Sequence, residues 1–258
     1  MDPTGMRGAL VGLAVGDALG TTLEFQPPGS FEAIDDMHGG GPFDLQPGMW
    51  TDDTSMALCL ADSLLEQRHF DPADQMRRYV AWHRDGVHSP TGPCFDIGST
   101  TRAALVAFER DGNPYAGSTD PTSAGNGSLM RLAPIPVAYR NAPALALRLA
   151  AEMSRTTHGA REAVDACRYY AGLIIGALQG VPKAELLRPR YAPVPGAWME
   201  TPLVDTIDAV ASGSFLRLAP PAIKGTGHVT RSLEAALWAF ATTDTFRDGA
   251  LAAVNLGD

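Results

Sequence analysis

Apolar positions recur at helical spacing along most of the chain. Between about 52 and 67, Met56, Ala57, Leu60, Leu64 and Leu65 fall on one face, the signature of an amphipathic helix. A second helix is predicted over about 73 to 84, "ADQMRRYVAWHR", and a third over "TTRAALVAFERDG", closed by Gly112. Further helical patterns follow in "APALALRLAAEMSRTTH", "REAVDACRYYAGLIIGALQG", "METPLVDTIDAVASG", "TRSLEAALWAFATT" and "TFRDGALAAVNLGD". Two stretches break the rhythm. Residues 26 to 50 are rich in Pro and Gly and read as a long ordered loop, and "DGVHSPTGPCFDIGST" reads as a second. β-branched residues nowhere alternate with polar ones for long, and no βαβ rhythm appears. The expectation is an all-α chain, one globular multi-helix domain over 1–258.

Near the start, Gly8, Gly12, Gly16 and Gly20 recur every fourth residue and form one smooth helical stripe. Glycine is costly inside a helix, so the stripe predicts a central helix approached closely by another backbone. A membrane span is not expected there, because Arg7, Asp17 and Glu24 interrupt the apolar run.

Charge narrows the function classes. The 258 residues carry 20 basic and 29 acidic side chains, a net charge of −9. That disfavours nucleic acid as the main partner. Cys59, Cys94 and Cys167 are odd in number and lack zinc spacing, so a reduced, cytoplasmic protein is expected, monomeric or weakly oligomeric.

Chemistry concentrates in a few short motifs. In "WTDDTS", Thr51 is a good helix N-cap, and Asp52 and Asp53 complement the helix dipole. The same residues are hard oxygen donors suited to Mg²⁺ or Mn²⁺, and both readings stand on pattern alone. Glu24, beside the long loop, is a solvated helix end or a general acid/base. Asp96, in "CFDIGSTTR", falls just before an expected helix start at Ser99 and reads as an Asx turn with a cap. "SAGNGSLMR" offers backbone amides at an expected helix start, where phosphate or carboxylate can bind. His158 falls at a predicted helix end. No HExxH, GxSxG or Walker A motif occurs.

In order, "GALVGLAVGDALGTTLEF", "WTDDTSMALCLADSLLE", "CFDIGSTTRAAL", "GNGSLMRLAPIPVAYR", "SRTTH" and "SLEAALWAF" to "NLGD" resemble the ADP-ribosylglycohydrolase family. The likeness is to the bacterial branch typified by dinitrogenase reductase-activating glycohydrolase, and it covers about residue 5 to 258. The resemblance implies an all-α fold and a metal-dependent hydrolase that cleaves ADP-ribose from an acceptor, often protein arginine, at ribose C1″. It implies two divalent ions, Mg²⁺ or Mn²⁺, ligated by Thr51, Asp52 and Asp53, with Glu24 and Asp53 catalytic. It also implies that Asp96, Gly98, Asn126, Gly127, Ser128 and His158 meet the ADP-ribose. Family members usually continue "NLGD" with a D-x-D-T motif that completes the metal site. Here Asp258 is the last residue, so the second ion is in question, and a catalytically impaired ADP-ribose binder is the alternative expectation. His228 stands where tyrosine is common, an expected change at the adenosine end.

Overall fold

The computed structural model describes residues 3–257; Asp258 lies outside the described residues. Among the described residues twelve α-helices form and no strand does. The first six are α1 (Thr4–Gly20), α2 (Asp52–Gln67), α3 (Pro72–Asp85), α4 (Ser99–Asp111), α5 (Pro134–Ala138) and α6 (Pro143–Arg155). There follow α7 (Arg161–Leu178), α8 (Lys183–Leu186), α9 (Ala197–Glu200), α10 (Asp205–Ala211), α11 (Val229–Thr242) and α12 (Phe246–Val254).

The larger core forms around α7. Its small residues Ala163, Ala166 and Ala171 are fully buried, so α6 and α11 can pack closely against it. Leu147 and Met153 of α6, Ile207 of α10 and Leu233 of α11 fill the same core. A second core joins α2, α3 and α4 through Met56, Met76, Tyr79, Trp82 and Leu105. Helix ends follow their punctuation. Asp71 caps α3 by accepting from the amides of Ala73 and Asp74, and Gly86 and Gly112 end α3 and α4 in the left-handed region.

Three expectations need correction. The glycine stripe does not seat a backbone: a Cβ at Gly8, Gly16 or Gly20 would meet nothing within 4 Å, and one at Gly12 only the Phe246 ring at 3.4 Å. Helix α1 is therefore peripheral, burying only Ala18 and Leu19 and leaving Val11 59% exposed. The pattern over 199–213 splits into α9 and α10, because Pro202 interrupts the helical backbone. The "GNGS" stretch starts no helix; it is a turn, followed only later by the short α5.

Two glycine substitutions separate these cases. Gly8→Ala is expected to raise stability by about 0.5–1 kcal/mol, the difference in helix propensity. Gly41→Ala is expected to destabilise, because Gly41 has φ +66° and a Cβ there would lie 2.1 Å from the Thr21 carbonyl oxygen. Urea unfolding of the two variants checks both signs.

Candidate active site

One carboxylate holds the start of α2. Asp17, on α1, accepts from the Thr51 amide at 3.0 and 3.1 Å and from the Thr51 hydroxyl at 2.8 Å. It also accepts from the Thr54 amide at 3.0 Å and the Thr54 hydroxyl at 2.6 Å. Asp17 is thus the N-cap acceptor of α2, supplied from another helix; Thr51 occupies the cap position but makes no side-chain cap bond. The first-turn acids Asp52 and Asp53 are left free of that duty.

They join a cluster of acids. Asp96 comes within hydrogen-bonding reach of Asp52, Glu24 and Thr51. Burial, then the Asp96 and Asp17 carboxylates, push Glu24 up to about 8. Burial raises Asp96 to about 6, and burial with neighbouring acids pushes Asp52 and Asp53 well above the carboxylate range. Asp17 is raised by burial against the pull of its four threonine donors.

Local backbone strain accompanies this crowding. Asp96 has φ 58° and Phe25, next to Glu24, has φ 61°. An aromatic chain holds both segments: Phe25 meets Phe43 at 6.4 Å between ring centroids, and Phe43 meets Phe95 at 5.2 Å.

Two cavities meet at the acids and share Gly16, Asp17 and Asp53. The smaller, about 260 Å³, reaches Glu24, Thr51 and Gly257. The larger, about 510 Å³, extends past Asn126, Met130 and Ser232 to Phe246. Together they have the size of a nucleotide-class ligand site.

An ADP-ribosylglycohydrolase family model matches residues 5–258. The chain belongs to the ADP-ribosylglycohydrolase family. It is 43% identical to the ADP-ribosylarginine hydrolase Tri1 of Pseudomonas putida (strain GB-1), over 98% of this chain and 65% of that protein. The chain therefore spans about two thirds of that relative's length. A solved chain titled "ADP-ribosylglycohydrolase-related protein complex" superposes with TM-score 0.84 at 47% identity, over 98% of this chain and 81% of its own. The ADP-ribosyl-dinitrogen reductase glycohydrolase of Rhodospirillum rubrum matches at 35% over 58% of this chain and 50% of that protein. The expected nearness to that bacterial branch is thus corrected: the Tri1 likeness is higher and spans nearly the whole chain.

Within this family member, Thr51, Asp52, Asp53, Glu24 and Asp96 come together. Their donor set is all oxygen and rich in negative charge, and the Thr51 hydroxyl keeps lone pairs free after donating to Asp17. That chemistry fits a hard divalent cation. No three His, Cys, Asp or Glu side chains among the described residues close into a ready metal cage. Asn126 lines the larger cavity.

Gly98, Ser128 and His158 line neither of these two cavities. Gly98 is exposed at the N-cap of α4 and lines neither cavity. Ser128 is fully buried, its hydroxyl 2.8 Å from that of Ser154. His158 is 2% exposed and sits behind the Gly125–Gly127 turn; a Cβ on Gly127 would lie 2.7 Å from its Cε1. Burial, then Arg131, lowers His158 to about 3, so the ring is neutral. Both side chains shape the turn from behind. His228 caps α11, its Nδ1 accepting from the Thr230 amide at 3.4 Å, while its backbone bridges Gly125.

Two contributors escaped the sequence pattern. Asp17 carried a signal in "GDALG", but its partners lie more than thirty residues on. Asn255, in "NLGD", accepts from the Ile34 amide at 2.8 Å and donates to the Ile34 carbonyl at 2.9 Å, tying the long loop to α12. No helix among the described residues is long and apolar enough to cross a membrane.

Asp17→Ala is expected to destabilise by about 2–4 kcal/mol, since it strands buried amides and hydroxyls at the head of α2. The raised acids set the sign of a pH effect. Glu24 and Asp96 hold protons more tightly folded than unfolded, so their contribution is full below their ordinary values of 4.5 and 3.8. It is lost as pH rises through about 6 and about 8. Urea midpoints of metal-free protein are expected to fall between pH 4.5 and 8, and excess Mg²⁺ to reduce that fall.

Proposed function

We propose that this chain removes ADP-ribose from ADP-ribosylated protein arginine by hydrolysing the bond at ribose C1″. The carrying observation is the group of five acids, Asp17, Glu24, Asp52, Asp53 and Asp96, at the junction of two cavities that share Asp17 and Asp53. The likeness to the ADP-ribosylarginine hydrolase of Pseudomonas putida supports the arginine acceptor.

Thr51, Asp52 and Asp53 would hold the divalent cations, Mg²⁺ or Mn²⁺, which supply Lewis-acid polarisation and an activated water when bound. The remaining roles belong to the chain. Glu24, held half-buried beside Asp96, donates a proton to the departing guanidine nitrogen as the C1″–N bond breaks. Water then adds to C1″ and its proton returns to the Glu24 carboxylate, so free ADP-ribose and free arginine leave. In the metal-free protein burial, then the Asp96 carboxylate, raises Glu24. The neighbouring carboxylates favour the positive charge that develops on the ribose ring. The larger cavity takes the nucleotide end along Asn126. The acidic net charge favours a protein substrate over nucleic acid.

ADP-ribosylarginine protein incubated with the chain and Mg²⁺ or Mn²⁺ is expected to release ADP-ribose, read by chromatography. Glu24→Gln is expected to lower kcat by roughly 10²-fold or more while metal affinity holds. Asp52→Ala and Asp53→Ala are expected to lower metal affinity and turnover together. Wild-type metal affinity in both aspartate variants would remove them as ligands.

A further inference from the structure

Three aromatic side chains stand beside the acids, and each is the chain neighbour of a carboxylate: Glu24–Phe25, Phe43–Asp44 and Phe95–Asp96. Each pair holds one residue in the left-handed region, Phe25 at φ 61°, Asp44 at φ 51° and Asp96 at φ 58°. That region is costly for a residue with a Cβ, and most of all for a bulky one such as Phe25. The rings meet in series, Phe25 against Phe43 and Phe43 against Phe95, both edge to face. With Glu24 and Asp96 in hydrogen-bonding reach of each other, rings and acids close into one rim.

The outer part of this rim is not spent on packing. Phe25 is 60% exposed, so its strained backbone does not serve to bury the ring. Asp44 is exposed, and its carboxylate makes no hydrogen bond or ion pair among the described residues. The loop that carries it is nevertheless fixed. Gly40 and Leu45 exchange both backbone hydrogen bonds, at 2.7 and 3.0 Å, and Leu45 is buried. Gly41 abuts the Thr21 carbonyl so closely that a Cβ would not fit. Ring and carboxylate are thus presented in a set geometry beside Glu24.

The acceptor must pass this rim. With ADP-ribose in the two cavities, a protein acceptor stays outside them, and the bond to be cut lies at Glu24, which lines the smaller one. The guanidinium of an ADP-ribosylated arginine is flat and cationic. Such a group stacks on an aromatic face and pairs with carboxylates.

We propose that Phe25 and Asp44 form the acceptor subsite: the Phe25 ring stacks on the guanidinium of the acceptor arginine, and the Asp44 carboxylate draws its charge to the rim. Both are specificity-determining residues and take no part in the bond cleavage. The proposal rests on the functional reading above and assigns the acceptor end of that substrate.

Steady-state hydrolysis of ADP-ribosylarginine by the wild type, Phe25→Ala, Phe25→Trp and Asp44→Asn tests it, with ADP-ribose affinity measured alongside by calorimetry. Phe25→Ala is expected to raise KM by roughly three- to tenfold while kcat holds, and Phe25→Trp to keep KM near the wild-type value. Asp44→Asn, which tolerates the left-handed backbone, is expected to raise KM by roughly threefold at low salt, an effect that fades at high salt. ADP-ribose affinity is expected to be unchanged in all three. If Phe25→Ala does not fold, Asp44→Asn decides, since the exposed position accepts the change. KM unchanged in these variants, or raised with a matching loss of ADP-ribose affinity, would overturn the proposal while the hydrolysis stands. No release of ADP-ribose by the wild type would overturn both.

Discussion

The Asp17 carboxylate is the constraint from which the rest of the site follows. It takes the amides and hydroxyls of both Thr51 and Thr54, fastening α1 to the head of α2. A helix start needs acceptors for its first amides, and a local cap would ordinarily supply them. Here the acceptor comes from α1, so the next two residues can be acids, of which Asp53 faces both cavities. The same bond set turns the Thr51 hydroxyl and the acids of α2 toward Glu24 and Asp96. Burial then raises every acid in the group, because ionised carboxylates repel one another and lose water.

Other parts of the fold hold the walls of that group in register. The Phe25–Phe43–Phe95 chain ties the segments that carry Glu24, next to left-handed Phe25, and Asp96, itself left-handed. Asn255 bridges both polar groups of the Ile34 peptide backbone and anchors the long loop to α12. Across the larger cavity, Ser128, His158 and Arg131 support one turn from behind.

Much of this was legible in the sequence where the relevant physics is local. Helix α2 over 52–67 follows from apolar spacing, and α4 ends at Gly112 because glycine accepts the left-handed turn. The acids Glu24, Asp52, Asp53 and Asp96 stood out as motifs, and the structure gathers them. The failures involve distance or ambiguity. The cap of α2 was assigned to Thr51 because its true acceptor is remote in sequence. The glycine stripe signalled a smooth face, but a smooth face can border a cavity as well as a backbone, and Gly8, Gly12 and Gly16 line one. Ser128 and His158 carry motif identity yet lie behind the turn, since sequence order does not tell which side of a loop a side chain takes.

The central claim is that the acids held by Asp17 form a cation-binding site at the head of α2. Crystals of the protein soaked in Mn²⁺ and measured at the manganese edge test it directly. The account predicts anomalous density bounded by Thr51, Asp52 and Asp53. Density elsewhere on the protein, or none at this site at saturating Mn²⁺, would contradict it.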